Sequence, residues 1–443
     1  MSALTMAAQL ILGLSILVTL HELGHYLAAR AFGIRVEKFY LFFDAWSIRL
    51  FRFKKGNTEY GVGWLPLGGY VKISGMIDES LDKDQLASPP QPHEFRSKPA
   101  WQRLIVMIAG VTMNVLLGIA LFSFNLLYYK KEYLPNSEVK HGIYAYALGR
   151  ELGLQNGDKI IAINGKTFQR FEDVLSSRIM FGATLTVERH GQWIDIHIPD
   201  NFYKRFTGQS LNNFIGIGEL SYYVRAVMPG EPAQKSGVKS GDTLLQINHV
   251  AVTELENIRK AISENAGKNI ILTVKRQEEI LDLTVPVSDK GTIGIAYTAA
   301  MKMPDNYAMK KYNVWSAFRF GTSDAFESLI SNAKGLQKIF TGEEKASESL
   351  QGPIGIATIY GGTWDWAKFW AITGLLSMVL AFMNMLPIPA LDGGHVIFLL
   401  IETITRKKFS DKFMERSQII GMIILLTLMI FAVGNDIWKH ILN

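Results

Sequence analysis

The chain has 443 residues, enough for several domains, and its 48% of hydrophobic residues gather into four long runs. It has no cysteine, which excludes disulfides and cysteinyl metal sites and leaves histidine and carboxylate to hold any metal. The net charge of +6 sits in loops beside the hydrophobic runs, so the expected partner of the basic residues is a lipid bilayer and not nucleic acid.

No charged residue stands between Met1 and Leu20, and the run predicts a first transmembrane helix over about residues 1–30. It lacks a positive n-region and is too long for a cleavable signal peptide. Its end carries His21-Glu22-Leu23-Gly24-His25. On a helix, His21 and His25 share one face at i and i+4, the spacing two zinc ligands need, and Glu22 is placed to take a proton from water activated by the metal. Ionisable residues inside a span are costly and mark function. The alternative is a histidine pair at headgroup level beside a plain anchor.

Residues 30–103 carry twelve Lys/Arg against eight Asp/Glu. Trp46 to Phe53 alternates in the strand manner, Gly56-Asn57 supplies a turn, and Tyr60 to Lys72 follows with several glycines. This predicts a β-hairpin or small sheet close to the membrane, its glycines allowing another backbone to approach. Asp78 to Pro92 reads as a mobile loop. Leu104 to Tyr129 is an uncharged second span, anchored by Lys98, Trp101 and Arg103. Asn114 within it is read as an interhelical hydrogen-bonding amide in preference to a catalytic group.

Residues 130–300 have short strands and turns, and the chain repeats itself there. Gly153-Leu154-Gln155-Asn156-Gly157-Asp158 and the strand to Asn164 match Gly237-Val238-Lys239-Ser240-Gly241-Asp242 and the strand to Asn248. Each unit closes on a similar strand, at Phe214–Ile217 and Thr292–Ile295. The pattern resembles PDZ domains in the circularly permuted arrangement, which implies peptide capture by strand addition, with a steric spacer as the alternative. The boundaries expected are 130–220 and 221–300, followed by a connector over 301–362. In that connector Phe326, Leu329, Ile330, Ala333, Leu336 and Phe340 share a helical face, predicting an amphipathic helix in the interface or under the PDZ pair.

The third run, Phe369 to Leu391, and the fourth, Ser417 to Gly434, complete a four-span layout, with residues 1–129 and 363–443 forming the membrane part. Basic residues in 30–103 and 406–416 place both loops in the cytoplasm and the repeat pair outside. A catalytic zinc takes three protein ligands and keeps a fourth position open. Topology removes His141, His190, His197, His249 and His440, and His93 lies in the loop. Asp392 or His395 remains, after Pro387 and Pro389, whose rings open the backbone. Asp392 is preferred, because an unpaired aspartate at that depth is costly.

His21-Glu22-Leu23-Gly24-His25, the tandem repeat and Asn384-Met385-Leu386-Pro387-Ile388-Pro389-Ala390-Leu391-Asp392-Gly393 together resemble the site-2 protease family of intramembrane zinc metalloproteases, over nearly the whole chain. The resemblance implies a polytopic α-helical membrane protein with four transmembrane helices, a membrane-associated β-hairpin and two tandem circularly permuted PDZ domains. It implies one zinc ion held by His21, His25 and Asp392, with Glu22 as general base. Asn384, with Pro387 and Pro389 of the same loop, is implied to hold the substrate backbone. The stretch with Gly61, Gly63, Gly68 and Gly69 resembles the family's hairpin, which pairs with an unwound substrate helix. The substrates implied are single-span membrane proteins, an anti-sigma factor or remnant signal peptides, in a bacterial inner membrane with the PDZ pair periplasmic. A catalytically silent PDZ scaffold is the rival.

Overall fold

The computed structural model describes residues 2–66, 68–76, 89–206, 214–217, 219–252, 255–277, 279–302 and 308–439. Most of the loop expected over 78–92, and His440, lie outside them. The chain divides into two compact units, residues 1–132 with 311–443, and residues 133–310.

The first unit is helical. Helix α1 covers Ser2–Ala31 and α2 covers Ala100–Phe124, which starts behind Pro99 and widens into a π-turn over Asn125–Lys130. Helix α3, Val314–Phe340, is opened by a capping box in which Asn313 and Ser316 exchange side-chain and backbone hydrogen bonds. Helices α4 (Pro353–Tyr360), α5 (Trp366–Asn384), α6 (Asp392–Thr405) and α7 (Asp411–Ile437) follow. Among the described residues, four helices are long and apolar enough to cross a membrane: Ser2–Ala31, Ala100–Lys130, Trp366–Asn384 and Lys412–Ile437.

The third hydrophobic run is not one helix to Leu391. It stops at Asn384, because Pro387 and Pro389 lack the N–H groups a helix needs, and restarts at Asp392. The intervening loop folds tightly onto α6. A Cβ on Gly394 would come within 2.5 Å of Pro389 Cα, and one on Gly393 within 2.5 Å of the Met385 carbonyl.

Between α1 and α2 the expected hairpin is part of a four-stranded mixed sheet of β1 (Val36–Leu41), β2 (Arg49–Lys55), β3 (Thr58–Gly63) and β4 (Tyr70–Ile73). The order is β2-β3-β1-β4, with β1 parallel to β3 and antiparallel to β4. Strand β1 has no polar-apolar alternation, and its sequence did not announce it. Residues 60–73 are divided between two strands of this sheet. Gly61 and Gly63 lie on β3, an interior strand, and only β4 of this pair is an edge.

The glycines serve the sheet's own packing. A side chain on Gly61 would strike the Tyr40 ring, and one on Gly63 the Phe43 carbonyl. Gly68 makes room for the Phe43 ring, and Gly69 for Val18 of α1. The backbone they admit is this chain's own.

Helix α3 falls in the predicted connector. It packs on α2 and α5, and its buried side is Ala317, Phe320, Gly321, Ala325 and Ser328. Phe326, Ile330 and Phe340 face outward. Small residues let helix backbones approach, as when Gly321 abuts Ser123, while large apolar ones are left for the surroundings.

The second unit holds two halves that share one local design. In the first half Gln192–Ile198, Ala183–Arg189, Lys159–Ile163 and Lys166–Thr167 are neighbours in that order, and Ile215–Ile217 pairs with Ile143–Ala145. In the second half the order is Glu279–Pro286, Asn269–Arg276, Thr243–Ile247, Glu219–Val227, Ile295–Lys302. The repeated motif has a physical cause. Asp158 is buried, takes the Gln155 N–H at 2.8 Å and receives Arg189 through two 2.7 Å bonds. Asp242 takes the Lys239 N–H at 2.9 Å and receives Arg276 at 2.7 and 2.8 Å. Each arginine also donates to the glycine carbonyl that opens its motif, Gly153 or Gly237. Asn164 and Asn248 adopt positive φ, where Asn is tolerated, and their side chains accept the N–H of Thr184 and Ile271.

Candidate metal centre

His21 and His25 lie on the buried face of α1, one turn apart, and α6 begins with Asp392 opposite them. Asp392 Oδ2 is 3.3 Å from His21 Nε2 and 3.3 Å from His25 Nε2, and the two Nε2 atoms are 3.3 Å from each other. Among the described residues this is the one group of three such side chains close enough to share an ion.

The donor set fits zinc. A tetrahedral ion with ligands at about 2.0–2.1 Å holds them about 3.3–3.4 Å apart, the separation found here. The buried Asp392 Oδ2 has no hydrogen-bond partner, and such an orphaned carboxylate oxygen is expensive unless a cation meets it.

The sequence preferred Asp392 to His395. Asp392 joins the histidines; His395, one turn further along α6, is buried and hydrogen-bonded to Gln418 of α7. Glu22 is half-buried beside the group, and the backbone N–H of Val71 in β4 donates to its carboxylate. Val71 stands opposite Phe39 of β1, and β4 is an edge of the sheet. The open edge of β4 and the Glu22 carboxylate therefore adjoin.

Asn384 ends α5 with its side-chain Nδ2 3.3 Å from His21 Nε2. Pro387 and Pro389 are in the loop between Asn384 and Asp392 and set the path that brings α6 back to the site. Gly61, Gly63 and Gly68 pack against the sheet's own residues and Gly69 against α1, as above.

Helix α2 supplies what the motifs did not name. The Val106 carbonyl lies 2.8 Å from His25 Nδ1. Gly110 leaves the space the imidazoles occupy: a Cβ there would overlap His25 Nε2 and lie 2.7 Å from His21 Cε1. Asn114 Nδ2 is 3.0 Å from His21 Nδ1, so the amide anticipated as an interhelical bond is one, and its partner is a histidine of the site. The i, i+4, i+8 spacing of these three residues was the available signal.

Comparison with known proteins agrees with this geometry. The model of peptidase family M50 matches residues 9–428. The chain is 27% identical to Protease RseP of Yersinia pestis, covering 98% of this chain and 99% of that protein. It is 29% identical to the regulator of sigma-E protease RseP of Escherichia coli, covering 97% of each, and 28% identical to the regulator of sigma E protease of Haemophilus influenzae, covering 98% and 99%. Since that family model spans α1, the sheet, the 133–310 unit and the Asp392 helix in a single match, the chain belongs to peptidase family M50, the site-2 proteases.

Proposed function

We propose that this chain is a zinc metalloprotease that hydrolyses a peptide bond within a transmembrane segment of single-span membrane proteins. The observation that carries the reading is the convergence of His21, His25 and Asp392 at 3.3 Å spacing, with Glu22 beside them, on helices that include a membrane-length α1.

Bound zinc supplies Lewis acidity at this point, polarising the scissile carbonyl and making water easier to deprotonate. Glu22 takes the proton from the attacking water and returns it to the leaving amine as the C–N bond breaks. The Val71 N–H holds the Glu22 carboxylate in place for both transfers. The Asn384 amide, beside His21, holds the substrate backbone across the site. A helical substrate must unwind to offer its carbonyl, and the open edge of β4 replaces the hydrogen bonds it loses.

The basic loops at 30–103 and 406–416 support a cytoplasmic position for the sheet and the site, in a bacterial inner membrane, with 133–310 periplasmic. The repeated Gly-Asp motif and strand orders of that unit support two tandem circularly permuted PDZ domains, acting as a size filter or docking site for substrates whose outer part has been trimmed. The name of the Escherichia coli relative ties that protein to sigma-E, which supports an anti-sigma factor as substrate here, with remnant signal peptides as a second class.

Reconstitution with a single-span test substrate and mass analysis of the products tests the reading: cuts within the span are expected, and cuts confined to the flanks refute it. Removal of residues 130–300 should allow untrimmed substrates to be cleaved; if they stay intact, the filter is wrong. A silent scaffold would keep its activity in Glu22→Gln, whereas the protease loses it.

A further inference from the structure

We propose that Asn114 is a positioning residue of the metal centre: its side-chain oxygen accepts the Nδ1–H of His21 and so turns the Nε2 lone pair of that ring toward the metal. The inference deepens the metalloprotease reading and rests on it. A neutral imidazole has one lone pair and one N–H, so the nitrogen away from the metal carries the proton and needs an acceptor.

For His25 that acceptor is the backbone. Its Nδ1 lies 2.8 Å from the Val106 carbonyl oxygen, which accepts only, so Nδ1 donates and Nε2 is left to the site. His21 faces a side chain instead. Its Nε2 stands 3.3 Å from both His25 Nε2 and Asp392 Oδ2, and its Nδ1 meets the Asn114 amide at 3.0 Å.

The amide accepts only through Oδ1. As placed, Nδ2 is the atom facing His21, while Oδ1 is fully buried with no hydrogen bond. The two atoms are interchangeable in shape, and a half-turn of the amide puts the oxygen on the Nδ1–H. That rotation pairs the buried oxygen with the Nδ1–H and gives the imidazole its acceptor, while the NH2 takes the place the oxygen held. The Asn114 backbone carbonyl also accepts Ser377 Oγ at 2.7 Å, which ties this turn of α2 to α5.

The test is zinc retention by the full-length protein in detergent against a graded chelator. Loss of an outer partner of a metal-bound histidine costs about 10–100-fold in affinity, and Asn114→Ala should weaken retention by that factor. Asn114→Asp, whose carboxylate accepts from Nδ1–H, should restore it. Equal losses in both variants point to packing alone and overturn the proposal, as does unchanged retention in Asn114→Ala. Nitrogen-15 and proton spectra of histidine-labelled, zinc-loaded wild type decide the matter even if the alanine variant does not fold: an Nδ1–H on His21 with the downfield proton shift of a hydrogen-bonded N–H supports it, and an Nδ1–H without that shift, or a proton on Nε2, overturns it. Wild-type protein that takes up no zinc overturns the metal reading itself, whereas a loaded wild type with an unaffected Asn114→Ala overturns only the role of Asn114.

Discussion

Gly110 and Glu22 separate the two demands on this site, space for the ligands and a base beside them. A methyl group at position 110 would stand where His25 Nε2 is, and the neighbouring atoms are ligands with no freedom to retreat. Gly110→Ala is therefore expected to lower zinc affinity at least tenfold while leaving the helical content intact, measured by metal analysis and circular dichroism on the same sample. Glu22→Gln has the opposite signature. The amide oxygen still accepts from the Val71 N–H, so zinc content should match wild type, but the side chain no longer takes a proton. Cleavage should fall by roughly 10²–10⁴-fold, the usual scale for a lost general base.

At the scale of elements, α1 presents the histidines, α6 the aspartate, and α2 the surface on which both rings rest. Strand β4 contributes through its edge. Val71→Pro removes one outward N–H at a position where an edge strand tolerates proline. Cleavage should drop about tenfold, one hydrogen bond's worth, with zinc retained. Proline at Tyr60, on the interior strand β3, should instead collapse the sheet and leave the protein susceptible to digestion between α1 and α2. Equal behaviour of the two variants would show that the Val71 N–H on the β4 edge has no special part in supporting Glu22.

At the scale of the whole molecule, each half of the 133–310 unit packs its own apolar core and pins its Gly-Asp turn with a buried aspartate–arginine contact, Asp158 with Arg189 and Asp242 with Arg276. Burial alone would raise the Asp242 carboxyl, but the Arg276 guanidinium and the Lys239 N–H outweigh it and hold it below its ordinary value. A group depressed in this way stabilises the fold at all pH above the unfolded value of about 4 and loses its contribution as pH falls through the lower folded value. Acid-active protease digestion of the full-length protein should show the Thr243–Ile247 region opening below pH 4. Arg276→Met, which leaves the carboxylate buried and alone, should open this half already at neutral pH and remove the acid-induced step, because a lone buried carboxyl favours its protonated form; an unchanged profile would mean the pair does not govern this half.

The spans, the His21-Glu22-His25 face, the duplicated Gly-Asp turn and the break at Pro387 and Pro389 were legible in the sequence, because each follows from local properties: hydropathy over a bilayer's width, helical spacing, turn chemistry and the missing proline N–H. The sequence by itself also narrowed the third acidic or imidazole partner to two residues one turn apart. The sequence preferred Asp392 to His395, and only the tertiary structure brings its carboxylate to 3.3 Å from both imidazoles, since that depends on how α6 is set against α1 across more than 360 residues. It also decided that β3 is interior, that β1 lies between β3 and β4, and that α3 turns its small residues inward. Strand order and helix facing are fixed by which neighbours exclude solvent or lipid from a surface, and no single stretch of chain carries that information.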